Sequence, residues 1–174
     1  VRRMIEIRQK QNGKVLLQVD ADTLAGHLFV QSRLPGADFS GQDLAGADFQ
    51  SADLRETNFE GATCIGANFQ SAGLQGANFD GAKLLRANFT DAQLDGARFV
   101  EAVMHQSIMR YARMPEGIMT GADLTKSDLT MAELHGNLNE AILTGANLQA
   151  ADLSGANLTG ANLTNANLFE AKLG

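Results

Sequence analysis

The sequence predicts an all-β fold, a quadrilateral parallel β-helix, and three observations on its 174 residues carry that prediction. First, from Phe39 to Leu173 an apolar residue recurs at every fifth position, through 28 centres with a single missing residue. Second, the residue two places before the centre is alanine in 22 of those 28 units. Third, glycine recurs two places after many centres, as at Gly41 and Gly61. Such a strict internal period is the signature of a solenoid.

A five-residue period fits neither an α-helix nor a flat strand. Five helical steps rotate the chain by about 500°, so the apolar positions would drift around the helix axis. In a strand, successive centres would point to opposite faces. If each pentapeptide instead forms one side of a square, four units return the chain to its start, and coils stack about 4.8 Å apart. The 28 centres then make about seven regular coils.

The alternation of large and small residues follows from this geometry. The centre and the residue two before it point inward, and the other three residues of the unit face water. Four large side chains fill the cross-section, so only a methyl group fits at the second inward site at the packing density of a protein interior. We expect Phe39 and Phe59 to stack in one column, and Phe49 and Phe69 in the opposite one. Glycine at the corners tolerates the backbone angles of the turns.

Two units show the repeated motif plainly, Ala37-Asp38-Phe39-Ser40-Gly41 and Ala156-Asn157-Leu158-Thr159-Gly160. The pattern of Ala, Asp or Asn, Leu or Phe, a polar residue and Gly resembles that of the pentapeptide repeat family. The resemblance covers residues 37 to 174. It implies the right-handed quadrilateral β-helix of that family. The period predicts the four-sided coil, and the handedness comes from the resemblance.

The chain divides into four segments. Residues 1–23 are predicted to form an N-terminal cap, because Met4 to Lys10 and Val15 to Val19 flank Asn12-Gly13, a strong two-residue hairpin signal. A helix around Asp22 to Val30 is the alternative. The other segments are a first repeat block over 24–102, a methionine-rich joint over 103–118 that keeps the repeat phase, and a second repeat block over 119–174.

The joint is the least regular stretch of the repeat. Methionine occupies the centres from Met104 to Met119, and Pro115 removes a backbone donor. Methionine fills uneven space better than branched residues do, which suits a join between two dissimilar stacks. We interpret the two blocks as having separate origins, joined by natural or engineered fusion. The five-residue phase survives the joint, so we expect backbone pairing to continue past Pro115.

Residues capable of chemistry are few. The single Cys64 occupies a leucine position in the core, which indicates a structural role. The three histidines fall in different columns, and no pair of carboxylates is placed in a cleft. The sequence therefore predicts no enzyme, no metal site and no cofactor. A signal peptide and a membrane span are absent from the sequence, and the lone cysteine fits a reducing cytoplasm.

These observations favour a non-enzymatic interaction or scaffold module with a protein partner, no membrane contact and no direct nucleic-acid binding. The resemblance implies an alternative, a DNA-mimicking inhibitor of a type II topoisomerase, since some family members resemble B-form DNA in width and charge. An acidic rod competes for a groove that binds phosphate. Here Asp38, Asp43, Asp48 and Asp53 ring one coil, but mostly neutral residues continue beneath them.

Apolar residues at outward positions form the candidate partner surface. Ile65 and Leu85 stack on one side, a second group surrounds the joint, and Phe169 lies near the last repeat. Scattered apolar surface is also normal for a soluble protein. An open coil end further predicts end-to-end self-association. The candidate residues are Ile65, Leu85, Val100, Val103, Ile108, Tyr111, Ile118 and Phe169.

Overall fold

The computed structural model describes residues 3–174. Its regular strands lie near the N-terminal end, and they are β1 (Met4–Gln9), β2 (Val15–Asp20) and β3 (Ala37–Asp38). They form one sheet in the order β2-β1-β3 with both pairings antiparallel. The repeats pair through single parallel bridges instead. Among these described residues, none belongs to a helix long and apolar enough to cross a membrane.

β1 and β2 form an N-terminal hairpin, as the sequence favours. Ile7 pairs with Leu17, and the register shifts by one residue just after Ile7. The turn is longer than the two-residue turn expected at Asn12-Gly13. The N–H of Gln9 donates to the carbonyl of Lys14 at 2.8 Å, and the N–H of Gly13 donates to the carbonyl of Gln9 at 2.9 Å. Residues 10–13 therefore form the loop, and Gly13 supplies the positive φ of 70° that closes it.

The hairpin caps the first coil. Gln9 of β1 pairs with Ala37 of β3, so backbone pairing joins the hairpin to the first regular unit of the repeat. Ile7 and Val19 are buried in the same apolar cluster as the repeat centres. This arrangement covers apolar side chains and backbone groups that a bare solenoid end would expose. Residues 22–30 contain turns and a bridge, so the alternative of a helix there is wrong.

Each regular corner of the coil is a β-turn. The N–H two places before a centre donates to the carbonyl of the preceding centre, as from Ala47 to Leu44 at 3.0 Å. The residue two places after the centre has a positive φ, 65° at Gly41 and 57° at Ser51. Positive φ at that position alone is the geometry of a type II turn, which explains why glycine is frequent there.

Four ladders of parallel bridges run along the molecule, and bridged residues are 20 positions apart in the first block. We name the four sides after the aspartates that ring one coil: the Asp38, Asp43, Asp48 and Asp53 sides follow one another along the chain. The ladders are Asp38-Asn58-Asn78-Arg98-Ile118-Asn137-Asn157, Asp43-Thr63-Lys83-Val103-Asp123-Ile142-Asn162, Leu28-Asp48-Asn68-Asn88-Ile108-Asp128-Asn147-Asn167 and Arg33-Asp53-Gly73-Gln93-Arg113-Glu133-Asp152-Lys172.

The core contains the two phenylalanine columns that the sequence predicts. Phe39 stacks on Phe59 with ring centroids 5.3 Å apart, and Phe49 stacks on Phe69 at 5.1 Å. Rings from the two columns meet edge to face across the centre, with 5.6 Å between Phe39 and Phe49. Both arrangements are the preferred ones for aromatic pairs. Phe29 extends the second column by one layer toward the cap.

Backbone pairing crosses the joint without a gap. Arg113 bridges to Glu133, and the N–H of Gly96 donates to the carbonyl of Pro115 at 2.9 Å. The methionine centres from Met104 to Met119 are fully buried. Ser127 replaces an inward alanine nearby, and its hydroxyl is satisfied because it donates to the carbonyl of Met104 at 2.7 Å. The separate origin of the two blocks stays a hypothesis.

The missing residue in the repeat shortens one corner. The ladder spacing falls from 20 to 19 positions there, as between Ile118 and Asn137. Gly136 consequently occupies the inward site two places before Leu138. It lies one coil below Gly117, whose carbonyl accepts the N–H of Asn137 at 2.9 Å. The five-residue phase resumes immediately, so the defect is confined to one corner.

Candidate functional site on the outer sides

The interior of the solenoid is filled with side chains. The apolar centres are buried along all four ladders from Phe29 to Leu153. Cys64 is one of them, and burial raises the pKa of its thiol, with a smaller contribution from the charge of Asp43. A thiol held in its protonated form is a poor nucleophile and a poor metal ligand. The groups available to other molecules therefore lie on the outward positions and around the cap.

The aspartates and asparagines just before the centres hold the corners in shape. The side-chain oxygen at this position accepts the N–H two residues later, as from Ala45 to Asp43 at 3.1 Å and from Thr90 to Asn88 at 3.0 Å. This is the local hydrogen bond that makes Asp and Asn common in turns. The motif therefore selects these residues for turn geometry, whatever their charge.

Two of the four aspartates in the ring also accept hydrogen bonds from the coil below. The side-chain amide of Asn58 donates to Asp38 at 2.9 Å, and that of Asn68 donates to Asp48 at 3.0 Å. Partial burial acts to raise the pKa of Asp38, but hydrogen bonds from Ser40 and Asn58 outweigh it and the pKa lies below its ordinary value. These carboxylates carry their charge as part of the turn and ladder structure.

The candidate partner residues lie on three different sides of the solenoid. Ile65, Leu85 and Val103 belong to the Asp43 side, while Val100 and Ile118 belong to the Asp38 side. The residues expected to cluster around the joint thus lie within about one coil but on different sides. Five positions along the chain move a residue to the next side of the coil. The remaining candidates, Ile108, Tyr111 and Phe169, lie on the Asp48 side or on the corner that follows it.

Exposure separates these candidates further. Phe169 and Tyr111 are the most exposed, at 64% and 51%, while Leu85, Val100 and Ile118 are half-buried. Two apolar residues that sequence reasoning missed are also exposed. Ile142 lies in the same ladder as Val103, and Met131 follows Tyr111 on the same corner. Their signal in the sequence is an apolar residue at an outward position of the repeat.

Ion pairs between neighbouring coils hold most of the charges around the joint. Arg98 contacts Asp80 at 2.7 Å, and Arg110 contacts Asp128 at 2.5 Å. His105 Nε2 lies 2.6 Å from Asp123. Partial burial acts to raise the pKa of Asp123, but hydrogen bonds from Thr125 and His105 outweigh it and lower the pKa.

Three cations on the Asp43 side and on the corner that follows it are not held in such ion pairs. Within residues 3–174, Lys83, Arg86 and Lys126 form no ion pair. The guanidinium of Arg86 donates instead to the neutral amide oxygen of Gln106 at 3.2 Å. We call Lys83, Arg86 and Lys126 the basic edge. Its charge is available to a partner because no carboxylate neutralises it.

Two clefts lie where the cap meets the first coils. One encloses about 620 Å³ beside Lys10, Pro35 and Arg55, and the other about 400 Å³ beside Glu6 and Gln42. Gln42 is the long polar residue at an inward site of the repeat, and it is exposed at this junction. Arg55 already forms two hydrogen bonds with Asp53, at 2.8 and 2.7 Å. The guanidinium that lines the larger cleft is therefore engaged within the fold.

The family model described as pentapeptide repeats matches the chain in 8 copies, over residues 29–61, 47–86, 87–125 and 137–173. This chain belongs to the pentapeptide repeat family. The resemblance drawn from the motif is thereby confirmed, and the right-handed quadrilateral β-helix is the fold of this family. The interval between the last two matches contains the corner shortened at Gly136.

Solved structures similar to this pentapeptide repeat protein include two trypsin-treated variants of QnrB1, a plasmid-mediated fluoroquinolone resistance protein. One is 24% identical, with 77% of this chain and 75% of that chain covered and a TM-score of 0.65. The other is 23% identical, with 82% and 86% covered and a TM-score of 0.62. Likeness at this level shows the fold alone.

HetL, a pentapeptide repeat protein involved in heterocyst differentiation regulation from the cyanobacterium Nostoc sp. strain PCC 7120, is 26% identical. The alignment covers 86% of this chain and 88% of HetL, with a TM-score of 0.41. Among curated proteins, none is similar enough to this chain to count as a match.

Proposed function

We propose that this pentapeptide repeat protein is a non-enzymatic interaction module, a rod of about seven regular coils that presents its flat sides to a protein partner. The observation that carries this proposal is the filled interior. The apolar centres from Phe29 to Leu153 are buried against one another, so recognition depends on outward positions. A concave ligand site needs open space between structural elements, and the space inside these coils is occupied by packed side chains.

The apolar residues at outward positions support a protein partner in particular. Ile65 and Val103 are exposed on the Asp43 side at 39% and 41%, in a repeat whose outward positions are otherwise mostly polar. Half-buried Leu85 lies between them, one coil below Ile65. Aligned apolar residues on a flat surface with polar neighbours are typical of protein interaction sites.

A capture experiment tests this proposal. The purified protein is used as bait in lysate of its source organism, and each captured protein is then purified and titrated against the bait. We expect at least one purified partner to bind, and we expect the Ile65→Ser/Leu85→Ser bait to bind it at least tenfold more weakly. Phe169→Ser is the matched control because it removes an exposed apolar residue from another side. Equal binding by the wild-type and double-variant baits would exclude the Ile65 and Leu85 pair.

A second candidate function is inhibition of a type II topoisomerase by mimicry of DNA. The Asp38 side favours it, because Asp38, Glu60, Asp80 and Glu101 place one acidic residue on each of four successive coils, counting the corner that follows the side. Two observations weigh against it. Asp80 is paired with Arg98, and the ring of aspartates serves the turns. Duplex DNA carries one charge for about every 1.7 Å of its axis, a far denser array.

A supercoiling assay with purified DNA gyrase separates the two candidates. We expect no inhibition by this protein at concentrations equal to that of the enzyme. Inhibition at such concentrations, abolished by Glu60→Gln/Asp80→Asn and retained in Ile65→Ser/Leu85→Ser, would establish mimicry and replace the first proposal.

A further inference from the structure

The Asp43 side differs from the other three in charge. It carries the basic edge, Lys83, Arg86 and Lys126, in a protein whose formal net charge is −6. The acids of the same side are Asp43 and Asp123, and each accepts hydrogen bonds within the fold. Asp43 accepts the N–H of Ala45, and Asp123 accepts bonds from Thr125 and His105. Three cations against these two acids leave this side with a net positive charge.

The corner that follows the Asp43 side departs from its own glycine pattern at the basic edge. Glycine provides the positive φ in this column at Gly66 and again at Gly145, and three non-glycine residues intervene. Arg86, Gln106 and Lys126 hold φ values of 56°, 57° and 57°. Left-handed backbone is unfavourable for residues with a Cβ. The corner after the Asp48 side holds it without glycine throughout, as at Ser51 and Tyr111, so the basic edge is set apart by the length and polarity of its side chains. The chain thus places three long polar side chains at corner positions between Gly66 and Gly145 of the same column.

Apolar and basic groups alternate along this side. Ile65 and Leu85 lie one place after their centres, and Val103 and Ile142 lie one place before theirs, on four of five successive coils with the basic edge beside them. The remaining coil, between Val103 and Ile142, presents Asp123. Four coil steps of about 4.8 Å give a strip of about 19 Å, the length of about six residues of extended chain. Charge complementarity and burial of apolar area are the two terms that favour association at such a strip.

We propose that the Asp43 side binds a partner protein through a segment rich in acidic and apolar residues. Carboxylates of the segment pair with Lys83, Arg86 and Lys126, and its apolar side chains cover the strip from Ile65 to Ile142. The inference rests on the proposed interaction function and specifies the chemistry of the partner.

A protein segment fits these groups better than a nucleic acid does. Single-stranded nucleic acids bind on exposed aromatic side chains, and a duplex requires rows of cations facing phosphates. Within residues 3–174 the exposed aromatic residues Tyr111 and Phe169 belong to the Asp48 side and its corner. The strip on the Asp43 side is aliphatic, which matches the side chains of a protein.

Selection from random twelve-residue peptides displayed on phage tests the proposal. Enriched peptides are synthesised with a fluorescent label and titrated against the protein by anisotropy. We expect enrichment of peptides with net negative charge and several apolar residues. We expect Lys83→Glu/Arg86→Glu/Lys126→Glu to weaken their binding at least tenfold and Leu85→Ser to weaken it about fivefold. Far-ultraviolet circular dichroism checks that each variant is folded. We expect all of them to fold because the substituted residues lie at outward positions.

The matched control reverses three cations on other sides, Arg55→Glu/Arg98→Glu/Arg113→Glu, and so changes the net charge by the same amount. We expect binding within twofold of wild type. Equal weakening by both triple variants, or enrichment of basic peptides, would overturn the proposal. A 20-base-pair DNA duplex that binds as tightly as the peptides, with loss in the Lys83→Glu/Arg86→Glu/Lys126→Glu variant, would also overturn it and indicate a general polyanion site.

The outcomes distinguish this inference from the proposed function. If peptides bind the Lys83→Glu/Arg86→Glu/Lys126→Glu variant as tightly as wild type, the docking surface lies on another part of the protein. The proposed interaction function would then stand, and this inference would be overturned. Absence of any enriched peptide overturns the inference, and the capture experiment then decides the proposed function on its own.

Discussion

Gly136 lies against the backbone of Gly117 in the coil above, and neither position has room for another atom at Cβ. A Cβ added to Gly136 would lie 2.1 Å from the carbonyl oxygen of Gly117 and 2.8 Å from its nitrogen. A Cβ added to Gly117 would lie 2.3 Å from Cγ of Met114. The obstacle at Gly136 is thus the backbone of the neighbouring coil, whereas the obstacle at Gly117 is the side chain of Met114, three residues earlier in the same coil. Both inward sites hold glycine where alanine stands almost everywhere else.

We predict that Gly136→Ala destabilises the protein by about 3 kcal/mol or more, because backbone atoms cannot move aside as a flexible side chain can. Gly73→Ala is the matched control. Its Cβ would lie 3.3 Å from the amide oxygen of Gln75 and 4.0 Å from the carbonyl oxygen of Ala52, and the φ of Gly73 is not left-handed. We expect Gly73→Ala to be neutral or to stabilise by up to about 1 kcal/mol. Urea denaturation of both variants measures the difference, and equal stabilities would contradict the packing described.

The phenylalanine columns give a second prediction. Phe69 is fully buried between Phe49 and Phe89, so Phe69→Ala is expected to lower the free energy of unfolding by about 3–5 kcal/mol. Phe169→Ala removes the same side chain from a position that is 64% exposed, and we expect a change within about 0.5 kcal/mol. Thermal or urea unfolding compares the two. A large loss in Phe169→Ala would show that Phe169 packs against other groups.

The period of the sequence predicts the core because every inward position obeys one rule. Counting alone puts Phe39 and Phe59 in one column, and they stack at 5.3 Å. The same counting predicts that the ladder passes Pro115, since the phase is unbroken there. The length of the hairpin loop was not predictable, because closure between Gln9 and Lys14 depends on how β2 docks on β1.

The outer surface was predicted less well, for a physical reason. The repeat assigns a residue to a side, but its exposure and its ion pairs depend on side chains from the coils above and below. Arg110 and Arg86 are both outward cations, and only the first meets a carboxylate. The exposed Ile142 was missed for the same reason, since the sequence does not show whether neighbours shield it.

The side-chain bonds at the corners give a third prediction. The oxygen Oδ1 of Asn88 accepts the N–H of Thr90 at 3.0 Å and its hydroxyl at 2.6 Å. We expect Asn88→Ala to cost about 0.5–1.5 kcal/mol, and Asn88→Asp to retain most of the stability because the acceptor remains. Gln93→Ala, at the equivalent position of the next side, is the control and is expected to change stability by under about 0.5 kcal/mol. Chemical denaturation measures the free energy of unfolding of each variant. Equal values for Asn88→Ala and Gln93→Ala would refute the role of the turn bond.

Acid conditions give the last prediction. Hydrogen bonds from Ser154, together with the charges of His135 and Lys172, lower the pKa of Asp152 from 3.8 to about 2. A carboxyl group whose pKa is lower in the folded state stabilises the fold above its unfolded pKa, and this contribution is lost as the pH falls through the folded value. Wild type should therefore exceed Asp152→Asn in melting temperature at pH 6, and the difference should shrink between about pH 4 and pH 2.

Asparagine at position 152 keeps the acceptor for the Ser154 N–H, as Asn157 does for Thr159 at 3.0 Å. Asp152→Asn therefore removes the charge while leaving the turn, and Asp152→Ala removes both. Melting curves from pH 6 to pH 2 should show Asp152→Ala below Asp152→Asn at every pH, with the two variants changing in parallel. A difference between wild type and Asp152→Asn that stays constant over this range would show that the ionised carboxylate contributes nothing to stability, because only an ionisation-linked term disappears on protonation.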